Sequence, residues 1–247
     1  MSRACARDRP DLAMTVPISV VVPVYNEGEE IVPFLDRLFE WVTVPCEVFA
    51  VYDTPEDTTV PHLVEYAERE VRLKPTHNTY GPGPARALRY GLEHATAEII
   101  VVIMADGSDD PQQIDDLAHL VERGVVVAAA SRYVQGGQQV GGPLLKSLMS
   151  RLAGLSLFYI ARVGTRDATN SFKAYDRSFV EKVGIESDAG FEMGLELVAK
   201  ARRHRLPVAE LPTIWLDRQT GQSNFKVRAW IPRYLRWYRY AFGPRLP

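Results

Sequence analysis

The sequence predicts an α/β fold: a mainly parallel sheet with helices on both faces. Three observations predict it. Ile18–Val24 is a nearly unbroken β-branched run ended by a turn, the pattern of a strand buried on both faces. Strand-like and helix-like patterns then alternate through the first half of the chain, as parallel strands joined by crossover helices require. The residues able to do chemistry follow the strands, and ligands of such sheets bind at the strands' carboxyl ends.

After that first strand, Glu29–Trp41 carries Ile31, Phe34, Leu35, Leu38 and Trp41 at helical spacing. Glu47–Tyr52 reads as a second strand, Pro61–Arg69 as a helix and Val71–Pro75 as a short strand. Ala85–His94 reads as a helix and Glu98–Met104 as another buried strand. Pro111–Arg123 is helical, with Pro111 at a favourable first-turn position, and Val125–Ala130 is the next strand. In the second half, Pro143–Val163 is a long apolar and basic helical stretch, Thr169–Ala174 a short strand, Phe191–His204 a helix and Pro207–Leu216 extended. Phe225–Phe242 is aromatic and basic. The chain carries no internal repeat and no clear linker. The expected organisation is a loose leader over 1–15, one domain over 16–226, and a basic, aromatic, amphipathic helical extension over 227–247.

The 247 residues are 46% apolar and 24% charged, ordinary globular values that exclude low-complexity disorder. A net charge of −2 excludes a polyanion binder as a whole, so any basic surface is local. Cys5 and Cys46 lie far apart with no C-x-x-C or Cys/His spacing, which excludes a thiolate zinc site and a disulfide scaffold and fits a reducing compartment. The longest uninterrupted apolar stretches, Ile99–Ala105 among them, are about seven residues, against roughly twenty for a bilayer span. The protein is therefore expected to be soluble, or peripheral at the cytoplasmic face of a membrane.

Met104-Ala105-Asp106-Gly107-Ser108-Asp109-Asp110-Pro111 puts three carboxylates in the turn after a buried strand. Hard divalent cations want oxygen ligands, and Mg²⁺ commonly takes one or two carboxylates plus substrate phosphates. Asp106 reads as a metal or substrate contact, whereas Asp110, just before Pro111, reads as the cap of the next helix. Asp53 ends the second strand, where a carboxylate can accept from a nucleobase or ribose; an Asx-turn or cap is the alternative for it and for Asp57. Asn78-Thr79-Tyr80-Gly81-Pro82-Gly83-Pro84 reads as a tight turn rather than a phosphate cradle, because Pro82 and Pro84 have no N–H to offer. No Ser/His/Asp or Cys/His nucleophile is evident, and the five histidines are scattered.

The second half supplies cations: Arg132, Lys146, Arg151, Arg218 and Lys226, and arginine pairs bidentately with phosphate oxygens. From Lys226 to Pro247 six basic residues interleave with Trp230, Tyr234, Trp237, Tyr238, Tyr240 and Phe242, with no acid. That composition reads as contact with a membrane surface, the alternative being packing of the aromatics onto the domain. The acidic strand ends argue against a nucleic-acid channel.

Taken together, these motifs resemble the family 2 inverting glycosyltransferases. Pro23-Val24-Tyr25-Asn26-Glu27 is similar to the family's P-x-Y-N-E opening, Asp53 and Asp57 fall within its D-D-G-S-x-D motif, and Ala105-Asp106 matches the end of its D-x-D. More narrowly, the chain resembles the dolichol- and polyprenyl-phosphate mannose synthases within that family. Ser131-Arg132-Tyr133 matches their S-R-[YF], Asp167–Lys173 resembles D-x-T-S-G-F-[KR], and Arg218…Gly221-Gln222-Ser223 resembles R-x-x-G-x-S-K. The departures are Met104 for the first Asp of D-x-D, Ser108 for a metal-contacting Gln, Tyr52 for the first Asp of the nucleotide motif, and Asn224 for the Lys of S-K.

The resemblance implies a GT-A (Rossmann-like) fold, a nucleotide-diphosphate sugar donor (GDP- or UDP-linked), Mg²⁺ or Mn²⁺, and one in-line displacement with inversion. It implies that Pro23, Tyr25, Glu27, Asp53, Gly83 and Ala105 bind the nucleotide and that Asp106 and Ser108 meet the metal. Arg132, Lys146, Ser150 and Ser223 would meet an acceptor phosphate, with Asp106, Arg132 and Arg218 central to transfer. The implied acceptor is a polyprenyl phosphate at a membrane surface, with a membrane-protein partner as a further expectation. The alternatives are transfer to a hydroxyl of a sugar or small metabolite, and a non-catalytic nucleotide-sugar-binding subunit. Isolated Glu192 and Glu196 keep the hydroxyl reading open, although helix surface is their simplest reading.

Overall fold

Ile18, Val20, Val21 and Val22 have no accessible surface, so their strand must be covered on both sides and both faces. The computed structural model describes residues 17–142, 144–188, 190–217 and 227–246. In it β1 (Ile18–Pro23) lies inside a seven-stranded sheet. It pairs in parallel with β2 (Cys46–Tyr52) through Val20↔Val48 and with β4 (Ile99–Val102) through Val20↔Val101. The remaining strands are β3 (Leu73–His77), β5 (Val127–Ser131), β7 (Lys173–Asp176) and β8 (Val208–Pro212), giving the order β3-β2-β1-β4-β7-β5-β8. All are parallel except β7, which runs antiparallel between β4 and β5. A separate parallel pair joins β6 (Gln138–Val140) to β9 (Ile214–Leu216).

Successive strand residues face opposite layers. Val20 and Val22 pack with Phe34 and Leu38 of α1 (Ile31–Trp41), Leu63 of α2 (Val60–Arg69), and Ile114 and Leu117 of α4 (Ile114–Glu122). Val21 and Val51 pack on the other side with Leu88 and Leu92 of α3 (Pro84–His94), Phe179 of α6 (Arg177–Val183), and Leu197 and Val198 of α7 (Met193–Arg203). Helices thus cover both faces, as expected. On α1 the buried residues Ile31, Phe34, Leu35 and Leu38 form one stripe, which is what fixes that helix to the sheet. Gly91 lets α3 sit directly on β1: a Cβ there would lie 2.3 Å from Val21 Cγ1.

Several elements differ from expectation for identifiable reasons. β3 begins at Leu73, not at Val71, because Leu73 is the buried residue and Val71 is 87% exposed. Pro75 is tolerated because β3 is an edge strand. β7 starts at Lys173, so Thr169–Phe172 is turn, not strand. α6 was not expected; Asp176 starts it by accepting a hydrogen bond from Phe179 N at 2.7 Å. The long stretch from Pro143 resolves into α5 (Leu144–Ser156) and a π-helical turn over Leu157–Ala161. The last helix, α8 (Val227–Ala241), packs on α7 through Trp237, which is 2% exposed. The large apolar side chains of α8 and the residue after it therefore divide: Trp237, Tyr234 and Tyr238 face the domain, while Ile231, Leu235 and Phe242 stay exposed. The leader over 1–15 lies outside the described residues.

At the amino ends of the strands one carboxylate joins four segments. Glu47 accepts from Ser19 Oγ at 2.5 Å, from Thr96 N and Oγ1 at 3.1 and 2.6 Å, and from Lys74 Nζ. Burial alone would raise its pKa, but the hydrogen bonds from Lys74, Ser19 and Thr96 outweigh burial and hold it at about 2. A depressed carboxyl contributes stability that is fully present above its unfolded pKa and is lost as pH falls through the folded value. Glu47→Gln should therefore cost about 1–2 kcal/mol at pH 7, after solvent screening, and progressively less between pH 4.5 and 2. Urea melts of both proteins across that range check it; a pH-independent gap would contradict the assignment.

Candidate active site

The parallel strands end on one edge, and the turns after β1, β2, β4 and β5 meet there. After β1, Tyr25 stands exposed and Asn26 takes a left-handed conformation at φ 54°. Buried Asp57 holds this turn. Its Oδ2 accepts from Asn26 N at 2.9 Å and its Oδ1 from Thr59 N at 2.8 Å, while Thr59 Oγ1 accepts from Glu27 N at 2.9 Å. Asp57 is thereby a scaffold residue that sets the direction of Tyr25 and Glu27.

Asp53 follows β2, and each of its oxygens accepts from the turn before α3. Asn78 Nδ2 donates to Oδ1 at 2.8 Å and Gly83 N to Oδ2 at 2.7 Å. Gly83 has φ 126°, so the turn needs glycine there. Beside it, Tyr52 stacks on His77 with ring centroids 5.5 Å apart and planes at 21°. Where the family pattern has an acid, this chain has a flat aromatic pair at the ends of β2 and β3. His77 gave no sequence signal, because its partner is 25 residues away on the neighbouring strand.

The acidic turn after β4 separates its carboxylates by role. Asp106 Oδ1 accepts from Ser108 N at 3.0 Å and Ser108 Oγ at 2.5 Å, an Asx-turn with Gly107 at φ 71°. Asp110 caps the turn Pro111–Gln113 by accepting from Gln112 N at 3.1 Å, so it is the cap. Asp109 is 3% exposed; its Oδ2 accepts a long bond from Met104 N, and its Oδ1 has no hydrogen-bond partner among the described residues. Burial pushes the Asp109 carboxyl up to about 7, and nearby Asp106 adds to the shift. Among the described residues there is no group of three or more His, Cys, Asp or Glu able to hold a metal by itself. The donor set present is oxygen only, Asp106 with the orphaned Asp109 oxygen behind it. It fits a hard divalent ion completed by substrate phosphates and would not retain a metal unaided.

Arg132 follows β5 and is held by Asp167, which has no accessible surface. Arg132 N, Nε and Nη2 all donate to this carboxylate, at 3.0, 2.7 and 2.8 Å. Burial opposes both charges; each partner outweighs it, so Asp167 lies below and Arg132 above the ordinary value. The rings of Tyr133 and Trp215 flank the guanidinium at 5.0 and 5.7 Å. Asp167 is there because β7 inserts between β4 and β5: Lys173 pairs with Val102 on one side and Ala129 on the other. Lys173 is wholly buried and donates to Asn170 O, and burial pushes its ammonium down to about 8. Ser150 on α5 reaches the same segment, its Oγ 2.8 Å from Thr169 Oγ1.

Arg218 and Ser223, and the side chain of Lys146, lie outside the described residues. The chain leading to Arg218 runs beside the acidic turn, since Leu216 N donates to Ser108 O at 3.1 Å. Glu192 and Glu196 are not on a helix surface: both are buried. Glu196 is consumed by Lys200 at 2.7 Å and by the N–H groups of Glu186 and Ser187.

The family model described as Glycosyl transferase family 2 matches residues 19–184. A polyprenol monophosphomannose synthase of Mycolicibacterium smegmatis is 26% identical over 227 residues, covering 85% of this chain and 85% of that protein. A dolichol-phosphate mannosyltransferase of Pyrococcus furiosus is 27% identical over 226 residues, 89% of this chain but 62% of that protein, so the chain spans less than two thirds of this relative. Among solved structures, a glucosyl-3-phosphoglycerate synthase from Mycobacterium tuberculosis with Mn²⁺, UDP and phosphoglyceric acid matches with TM-score 0.68 and 17% identity over 93% of this chain and 80% of that one. A mannosyltransferase from Pyrobaculum calidifontis with GDP-Man and Mn²⁺ matches with TM-score 0.62 and 20% identity over 93% of this chain and 65% of that one. At these identities the structural likeness shows the fold, which is GT-A.

Proposed function

The chain belongs to glycosyl transferase family 2, and from that premise we propose that it moves a hexosyl group from a GDP- or UDP-sugar to a polyprenyl phosphate, with inversion, at the cytoplasmic face of a membrane. The names of the two sequence relatives support this acceptor. The observation that carries it is a stripe of exposed apolar side chains that starts beside Ser150. Leu148, Met149 and Leu152 of α5 continue into Tyr159 and Ile160 of the π-helical turn, where helical spacing keeps them on one side. Ile231 and Leu235 of α8, with Phe242 just after it, add a second such stripe, and Ser156 Oγ joins the two helices through Tyr238 at 2.9 Å. Apolar side chains rimmed by arginine suit the interface of an anionic bilayer. No helix among the described residues is long and apolar enough to cross one.

A phosphate monoester is ionised at neutral pH and needs cations to position it, not a base to activate it. Arg132 fills that role: Asp167 occupies its Nε and Nη2, and Nη1 makes no hydrogen bond among the described residues. Ser150 offers a hydroxyl on the same side, and the sequence adds Lys146, Arg218 and Ser223. Tyr25, Glu27, Asp53 with Gly83, and Ala105 would cradle the nucleotide, with the Tyr52–His77 pair as a flat wall at the ends of β2 and β3. A Mg²⁺ or Mn²⁺ ion held by Asp106 beside Ser108 would offset charge on the departing diphosphate.

The test offers radiolabelled GDP- and UDP-sugars with polyprenyl phosphate and Mn²⁺ and counts label in the organic phase. One donor should deliver label without any added acceptor protein. Nucleotide binding with no label from any donor would sink the lipid acceptor.

A further inference from the structure

An open cavity of about 690 Å³ lies away from the strand ends that form the transfer site. It sits where the π-helical turn, the end of α7, the start of β8 and the C-terminal segment converge, and Arg162, Arg202, Arg205 and Arg245 line it. No acidic residue lines it, and no carboxylate pairs with any of these four arginines among the described residues. Glu210, two residues along β8, is committed to Arg166 and to Thr165 Oγ1 at 3.1 Å.

Arg202 has a structural duty. Its Nε donates to Ala161 O at 2.8 Å and its Nη1 to Gly243 O at 2.5 Å, which fastens the C-terminal segment to the π-helical turn. Arg162 and Arg205 have no comparable duty, and their backbones are unusual. Among the described residues only Asn26, Arg162 and Arg205 are non-glycine residues with positive φ, the two arginines at 58° and 59°. Both sit where a helix ends, Arg162 as the cap of the π-helical turn and Arg205 just after the cap of α7. Glycine is the ordinary residue there, because a Cβ is strained in the left-handed region. Two long cations held in strained backbone around one cavity are a cost that folding alone does not require, and strain of this kind collects at functional sites.

We infer that this cavity is a second anion site, built to take a phosphate group, with Arg162, Arg205 and Arg245 as its cations. Guanidinium groups match phosphate oxygens in geometry as well as charge. The site adjoins Ile160, 68% exposed, at the far end of the apolar stripe from Ser150. The ten residues of helix from Ser150 to Ile160 separate those ends by about 15 Å. A phospholipid headgroup would enter the cavity with its chains running past Ile160; a soluble phosphate would enter without that contact. The inference needs neither donor nor acceptor and stands apart from the transfer reading.

The test compares the full chain with the double variant Arg162→Gly/Arg205→Gly. Glycine relieves the left-handed strain, so the variant should melt at the same temperature or higher, and lost binding is then not lost fold. Binding is read by co-sedimentation with vesicles of phosphatidylcholine containing phosphatidylglycerol, with pure phosphatidylcholine as control, and by the rise in Tm that inorganic phosphate gives. The expected result is at least a tenfold loss of partitioning onto the anionic vesicles, with partitioning onto neutral ones unchanged. Loss of the phosphate-induced rise in Tm with unchanged vesicle binding would assign the same site to soluble phosphates. Unchanged response to both probes would overturn the inference. Arg245→Gln should lose part of the same binding and supplies a check in unstrained backbone.

Discussion

Asp106→Asn is expected to lower kcat at least a thousandfold at saturating Mn²⁺ while moving the Tm by no more than a degree or two. The substitution is well matched to the question. Asp106 Oδ1 shapes its turn by accepting from Ser108 N and Oγ. Asparagine retains that oxygen and makes Asx-turns as readily, so the loop should persist. What disappears is the negative charge. Met104 stands where the family pattern has its first carboxylate, so no second acid on the strand end shares the load. Asp109 cannot replace it, being 3% exposed and held largely by its buried surroundings. A thousandfold corresponds to about 4 kcal/mol of transition-state stabilisation, the scale on which removing charge compensation at a leaving diphosphate acts. Single-turnover rates across a Mn²⁺ titration, with a melt of the same preparation, decide it. A near-normal kcat at saturating metal would remove Asp106 from the metal role.

The difference between what the sequence reveals and what it hides is physical. β1, β4 and α1 are legible because burial on both faces of a strand, or along one stripe of a helix, writes a local pattern of apolar residues. The acidic turn is legible for the same reason: a buried strand must end, and polar residues cluster where it does. β7 is different. It is four residues long, reverses the direction of the sheet, and pairs with strands 44 and 71 residues before it in the chain, as Ala129↔Lys173 and Val102↔Lys173 show. Four residues are too short a pattern to fix a strand's bounds or its direction, and the expected Thr169–Ala174 shares only Lys173 and Ala174 with it. The Asp167 carboxylate, the Lys173 ammonium and the true burial of Glu192 and Glu196 all depend on that insertion or on the packing beneath it. The family motif named the residues Asp167 to Lys173; only the structure says that Asp167 is the partner of Arg132. The aromatics of α8 show the same limit. A helix of mixed Trp, Tyr and Arg cannot declare which ring turns inward until α7 is there to receive Trp237.

Asp167→Ala is the change expected to do most damage to the fold and the site together. Asp167 is fully buried and receives three hydrogen bonds from Arg132 and one from Asn170 N at 3.2 Å. Removing it leaves a guanidinium buried without its counter-charge, which costs about 3–5 kcal/mol, whereas the intact pair is close to neutral relative to apolar residues of the same volume. The Tm should fall by about 10 °C for a chain of this size. The double variant Asp167→Leu/Arg132→Met separates the two consequences. It should regain most of the lost stability, because neither charge is then stranded. Transfer should stay at least a hundredfold down in both variants, because the cation proposed to position the acceptor phosphate is either misplaced or absent. The readouts differ as well: Asp167→Ala should raise KM for the polyprenyl phosphate far more than KM for the nucleotide sugar. A double variant that regained both stability and activity would make the pair structural only, and an unchanged Tm in Asp167→Ala would mean that Arg132 finds water or another partner once Asp167 is gone.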